Sequence, residues 1–279
     1  MPAFLGTKYR IFWSKMETVN SLEEIQHAGV KACLEYMGID EGFEINHAGD
    51  LPARSGLGSS SAFTVGMLNA LHALRGEYAS KDRLASEAIE VEQEVLKETV
   101  GVQDQIECAY GGLNLLEIRP DGEFSVHPVI LTEERKLEFE DHCLLFFTGL
   151  QRHASEIAQT QMENYKSKAA QLRDVAALVP IGVKALTEGS LYEFGRLLNW
   201  GWVCKRGLSA QMSNPDLDAL YQSALDAGAW GGKLLGAGGG GFLLLFVAPE
   251  YQAAVRAAMG ELFEVPFRFE SCGTQIVLS

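Results

Sequence analysis

Between an extended segment and a run of helix-forming residues the chain reads Asp50-Leu-Pro-Ala-Arg-Ser-Gly-Leu-Gly-Ser-Ser-Ser61, and this stretch narrows the folds open to it more than any other. Gly56 and Gly58 let the backbone turn tightly with no Cβ in the way. The serines then open a helix predicted over Ser59 to Leu74 and ended by Gly76, whose first N–H groups have no partner within the helix. The positive helix end and several aligned donors suit a phosphate chain, and a serine hydroxyl can add a magnesium contact. This is not a Walker A loop: Gly232-Lys233 is followed by Leu234, and Ala227 stands where that motif needs its first glycine. Nor is it GxGxxG, because Ser61 replaces the third glycine.

A second glycine-rich stretch, Gly231-Gly-Lys-Leu-Leu-Gly-Ala-Gly-Gly-Gly-Gly241, has seven glycines in eleven positions and runs into the apolar segment Phe242 to Val247. Consecutive glycines are entropically costly and pack nothing, so a close approach of backbone to another segment or to a ligand is the economical explanation. The third chemical feature is a carboxylate pair. Glu92 is placed on the polar side of a helix predicted over Ser80 to Lys97, with Leu84, Ala88, Val91 and Val95 on its apolar face. Asp104 follows twelve residues later, in Val100-Gly-Val-Gln-Asp-Gln105. One carboxylate to bind magnesium and a second to orient or deprotonate an acceptor hydroxyl are what phosphoryl transfer requires. Glu90, Glu94 and Glu98 compete for the first role, and spacing alone does not choose among them.

Charge narrows the partners. With 37 acidic and 23 basic residues the 279-residue chain carries a net −14, which opposes nucleic acid and anionic membrane surfaces. The longest apolar run, Phe242 to Ala248, falls far short of the roughly 20 residues of a spanning helix. The start lacks a basic region followed by an apolar stretch, so a cytoplasmic location is expected. Cys33, Cys108, Cys143, Cys204 and Cys272 are scattered with no CxxC pair, which fits reduced thiols better than a disulfide framework or a zinc site. Any metal here is expected to be held by oxygen.

The length suggests two domains. Short strands are predicted at Tyr9 to Trp13 and Phe43 to His47, with a helix from a Ser21/Glu24 capping box to Met37 and a stop at Gly38. A hairpin, Leu113 to Ile118 and Phe124 to Val129, turns at Pro120-Asp121-Gly122. A strand at Leu144 to Thr148 follows, then two or three helices between Ala154 and Asn199 and another from Asn214 to Ala227. Strand Gly241 to Val247, helix Glu250 to Leu262 and strand Phe267 to Glu270 complete an α+β arrangement, divided near residue 140 into 1–140 and 141–279.

The two loops carry a resemblance. Pro52 to Ser60 matches the PxxxGLGSS motif of the GHMP-superfamily small-molecule kinases (galactokinase, homoserine, mevalonate and phosphomevalonate kinases), and Gly232 to Gly241 matches their GxxxxGAGxGG-type loop. More narrowly, Ser14 to Glu17, Glu24 to His27, Ala53 to Val65 and Gln103 to Gln105 resemble the D-glycero-D-manno-heptose 7-phosphate kinase branch. The resemblance implies an N-terminal ATP-binding domain like the second domain of ribosomal protein S5 and a ferredoxin-like C-terminal domain. It implies ATP phosphates held by Arg54, Ser55, Gly56, Leu57, Gly58, Ser59 and Ser60, magnesium on Ser60 and Glu92, and Asp104 as the catalytic aspartate. Gly236, Gly238, Gly239 and Gly240 with Arg152, Lys205 and Arg206 are the expected substrate-binding or loop-stabilising residues.

The implied reaction is ATP-dependent phosphorylation of the anomeric hydroxyl of the heptose 7-phosphate, giving the 1,7-bisphosphate. Alternatives are another specificity of the superfamily (fucose, galactose or mevalonate) and a non-catalytic ATP or sugar sensor. The expected partner is a small sugar phosphate, with neither nucleic acid nor membrane, and a homodimer stays open. The superfamily's first motif, PxR…GGGTD, is expected before the strand at Tyr9, where only eight residues stand. By comparison with the family, roughly 45 to 50 residues, enough for several strands, would be missing there.

Overall fold

The computed structural model describes residues 7–51, 56–149, 168–208, 212–236 and 239–277. They group into two units, one drawn from 1–53, 58–111 and 272–279 and the other from 54–57 and 112–271. Residues 112–140 thus fall with the second unit, whereas the sequence reading divides the chain near 140.

In the first unit β1 (Tyr9–Phe12) pairs antiparallel with β2 (Met16–Val19) and parallel with β3 (Glu44–Asn46). Strand alternation turns Tyr9 and Ile11 into the core. Helix α1 (Ala28–Met37) starts later than the capping-box signature predicts. Glu24 accepts the backbone N–H of Asn20, and Glu17 accepts that of Gln26 at 2.6 Å, so this stretch is tied back to β2. His27 Nδ1 caps the helix instead, accepting from Val30 N–H at 3.2 Å. Its predicted stop holds: Gly38 takes φ 61°, the left-handed conformation of a helix C-terminus.

Helix α2 (Ser59–Leu74) has the predicted boundaries. Helix α3 (Lys81–Glu90) opens on the Ser80 hydroxyl and runs into a π-helical turn, Val91–Val95, and α4 spans Gln103–Tyr110. Val65, Leu68, Leu71, Leu84, Ala88, Val91, Ile106 and Ala109 form the buried interior of these helices. The C-terminal segment is fastened to them by Thr274 N–H on Cys108 O and by Lys81 Nζ, which donates to both Tyr110 O and Cys272 O.

In the second unit, β4 (Asn114–Ile118) and β5 (Phe124–Pro128) form the predicted hairpin, with Gly122 at φ 89° in its turn. Helix α5 (Glu133–Asp141) precedes a four-stranded antiparallel sheet ordered β7-β8-β6-β9, from Gly231–Leu234, Phe242–Phe246, Cys143–Phe147 and Phe263–Glu264. Helices α6 (Ala169–Thr187), α7 (Leu191–Arg206) and α8 (Pro215–Asp226) come between β6 and β7, and α9 (Gln252–Met259) between β8 and β9. This β-α-β-β-α-β connectivity with antiparallel neighbours is the ferredoxin-like arrangement. Leu144, Phe146, Leu243, Leu245, Trp202, Tyr221 and Val255 fill its core.

Two predicted segments differ. Gly231 and Gly232 are strand, not loop. A Cβ at Gly231 would lie 2.0 Å from the Gly195 carbonyl oxygen, and one at Gly232 would lie 2.3 Å from that of Leu244, so these glycines admit close backbone packing. Phe267 to Glu270 is not a strand: the Phe269 ring stacks on Phe139 and its N–H donates to the buried Glu140 carboxylate at 2.9 Å.

Candidate active site

Helix α2 begins without a side-chain cap. Its N-cap is Gly58, held at φ 67°, and the first intrahelical bond is Ala62 N–H to Gly58 O at 2.8 Å. The amides of Ser59, Ser60 and Ser61 precede that bond, with no acidic side chain in the first turn. An uncapped sixteen-residue helix leaves its positive end to an anion. Gly58 also faces Asp104: a Cβ there would stand 3.3 Å from Asp104 Cβ and Cγ and 3.4 Å from Oδ2. The helix start and the Asp104 carboxylate, 46 residues apart in the chain, are therefore neighbours.

Glu92 is only 1% exposed, which corrects its placement on a polar helix face. Counting from Leu84 and Ala85, the buried positions are 84, 85, 88, 91 and 92, one continuous helical stripe. Val95, expected on the apolar face, is 37% exposed, because the π turn advances the backbone by an extra residue and carries it outward. Glu92 Oε2 accepts from Ser61 Oγ at 3.0 Å and from Gln105 Nε2 at 2.5 Å. Burial raises its pKa, against the opposing effect of the hydrogen bonds from Gln105 and Ser61 and of the nearby Thr64 hydroxyl, which itself donates to Ser60 O. Among the described residues its other oxygen, Oε1, is buried without a hydrogen-bond partner.

A buried carboxylate oxygen with unused lone pairs, beside a helix start bearing hydroxyls, fits magnesium, which takes hard oxygen ligands and is typically bound by one or two carboxylates plus phosphates. Glu92 and the exposed Ser60 would be its protein ligands. No cluster of three or more His, Cys, Asp or Glu able to hold a metal occurs among the described residues. Gln105 and Ser61 were not singled out by sequence reasoning. The signal was there in part, since Ser61 lies one turn before the core position Val65 and Gln105 directly precedes buried Ile106.

The second glycine loop belongs to the other unit. Gly236, at φ 73°, packs so closely on Gly56 that a Cβ would lie 2.5 Å from the Gly56 Cα, and Gly239 N–H donates to Met212 O. Gly239 and Gly240 are buried. Lys205 Nζ donates to Gly236 O at 2.7 Å, whereas Arg206 forms an ion pair with Asp218 at 2.7 Å, in which Ser213 also takes part. Arg54, Ser55, Arg152 and Gly238 lie outside the described residues. Near Ser14 and Lys15, the rings of Trp13, His27, His47 and Phe63 form a cluster with centroids 4.6–5.7 Å apart. No helix among the described residues is long and apolar enough to cross a membrane.

The family model for the GHMP kinases N terminal domain matches residues 24–112, and that for the GHMP kinases C terminal matches 183–265, together more than half of the chain. A D-glycero-alpha-D-manno-heptose 7-phosphate kinase of Campylobacter jejuni is 34% identical over 217 residues, 74% of this chain and 62% of the relative. An L-fucokinase/L-fucose-1-P guanylyltransferase of Bacteroides fragilis is 30% identical over 240 residues, 83% of this chain and 25% of the relative. The chain thus spans less than two thirds of either. Among solved structures, a D-glycero-D-manno-heptose 1-phosphate kinase of Bacteroides thetaiotaomicron superposes with a TM-score of 0.72 at 24% identity, covering 98% of this chain and 83% of that one. The phosphomevalonate kinase of Streptococcus pneumoniae, solved with phosphomevalonate and AMPPNP, gives 0.76 at 19% identity, covering 96% and 88%. With both family models matched in order along it, and with the α+β fold of the solved kinases, the chain belongs to the GHMP kinases.

Proposed function

We propose that this chain is an ATP-dependent sugar kinase that phosphorylates a sugar phosphate, D-glycero-D-manno-heptose 7-phosphate being the favoured acceptor and its anomeric hydroxyl the favoured position. The observation that carries the reading is the closeness of Asp104 to Gly58, where a Cβ would stand 3.3 Å from the Asp104 Cγ, so that a carboxylate lies beside an uncapped helix start. The amides of Ser59 and Ser60, with Gly56 and Leu57 and with Arg54 and Ser55 before them, would hold the nucleotide phosphates. Asp104 would accept the proton of the acceptor hydroxyl as its oxygen bonds to the γ-phosphorus and ADP leaves. Magnesium, when bound at Glu92 and Ser60, would neutralise charge on the phosphates.

The choice of acceptor rests on the 34% identical Campylobacter relative. The second loop supplies Gly236, Gly238, Gly239 and Gly240. Lys205 is proposed as its support, since it already holds the Gly236 carbonyl, and Arg152 and Arg206 are proposed for the substrate phosphate. The ring cluster at Trp13 is proposed to flank the base.

ADP release with a panel of heptose 7-phosphate, fucose, galactose and mevalonate tests the reading. Highest kcat/KM is expected with the heptose phosphate. Preference for another acceptor would replace the substrate assignment, and no turnover with nucleotide bound would leave a sensor.

A further inference from the structure

We propose that Gln105 and Ser61 are positioning residues that lock the Glu92 carboxylate so that only Oε1 faces a divalent cation; this rests on the kinase reading above. Both donate to the same oxygen, Oε2, at 2.5 and 3.0 Å. Two donors on one oxygen fix the carboxylate plane and leave the lone pairs of Oε1 as the acceptor set not already used. With Glu92 ionised, the Gln105 amide turns Nε2 toward Oε2, because the reversed amide would place its oxygen against Oε2, two acceptors in contact.

Packing does not account for these groups. Gln105 is fully buried, yet its own Oε1 has no hydrogen-bond partner among the described residues, an arrangement a purely structural core position avoids. Ser61 is 4% exposed and stands on the first turn of α2, one residue after the proposed ligand Ser60, so clamp and ligand share one rigid element. Gln105 likewise follows Asp104 directly on α4. The carboxylate proposed to hold the metal and the one proposed to take the proton are thereby set by consecutive residues of one helix. Partners of this kind orient metal ligands, and removing one typically lowers metal affinity about 10- to 100-fold.

The test is Mn2+ binding followed by electron paramagnetic resonance on the full chain with a nonhydrolysable ATP analogue, for the wild type, Ser61→Ala and Gln105→Leu, with thermal unfolding of each in the absence of metal. Ser61→Ala removes one hydroxyl and keeps the fold testable should Gln105→Leu not accumulate. The expected result is a rise in the Mn2+ dissociation constant of about tenfold or more in each variant, with analogue affinity measured without metal unchanged and, in turnover, a raised metal activation constant with kcat largely kept at saturating metal. Unchanged Mn2+ affinity in a folded Ser61→Ala protein, with the wild type binding Mn2+, overturns the positioning role and leaves the kinase reading standing. A wild type that does not bind Mn2+ with the analogue overturns both.

Discussion

Replacing Gly58 by alanine isolates the contact on which the functional reading rests. Two effects follow from the structure. Gly58 lies at φ 67°, where an L side chain costs roughly 1–2 kcal/mol. Its new Cβ would meet Asp104 Cβ and Cγ at 3.3 Å, so the aspartate must withdraw by a few tenths of an ångström. Since a displacement of about 1 Å in a reacting group costs about 100-fold in rate, a few tenths should lower kcat about 3- to 10-fold. Gly38→Ala is the control: at φ 61° it meets the same backbone cost, but nothing lies within 4 Å of its Cβ. Urea denaturation should show both variants destabilised by about 1–2 kcal/mol, and steady-state ADP release should show only Gly58→Ala slowed. Equal kcat in the two variants would refute the argument that Asp104 is seated against the loop for catalysis.

Asp104→Asn should leave nucleotide affinity nearly intact and slow phosphoryl transfer about 10²- to 10⁴-fold, read by single-turnover kinetics. Gly231→Ala, whose Cβ would lie 2.0 Å from Gly195 O, should destabilise the second unit by about 3 kcal/mol or more in urea denaturation. Burial holds the thiols of Cys33, Cys108 and Cys143 at a pKa of about 12, with the negative charge of Asp104 adding to the effect at Cys108. A raised thiol pKa means less thiolate, so at pH 8 only about one part in 10⁴ is reactive. Iodoacetamide mapped by mass spectrometry should modify the exposed Cys272 well before these three.

Much of this fold was legible because local chemistry and tertiary packing agree. The α2 boundaries follow from Gly58 at one end and Arg75-Gly76 at the other, and the β4–β5 hairpin from Pro120-Asp121-Gly122. Where they disagree, the sequence misled. Glycine counts as a breaker, yet Gly231 and Gly232 are strand because two backbones need the space of their missing side chains. Glutamate counts as a surface residue, so Glu92 was assigned to the solvent side even though its spacing from Ala85 and Ala88 puts it on the buried stripe. A buried charge and a buried amide with unsatisfied oxygens are the violations expected where a site has been built at some expense of stability. The short helix α4 carries only Ile106 and Ala109 as buried apolar side chains, too few for periodicity to reveal it.

The most direct test is a crystal structure of the chain with a nonhydrolysable ATP analogue and a divalent cation. The phosphates should lie on the amides of Ser59 and Ser60, the cation on Glu92 Oε1, and the Asp104 carboxylate should face the terminal phosphoryl group. A nucleotide bound elsewhere, or an Asp104 side chain turned away from that group, would contradict the account.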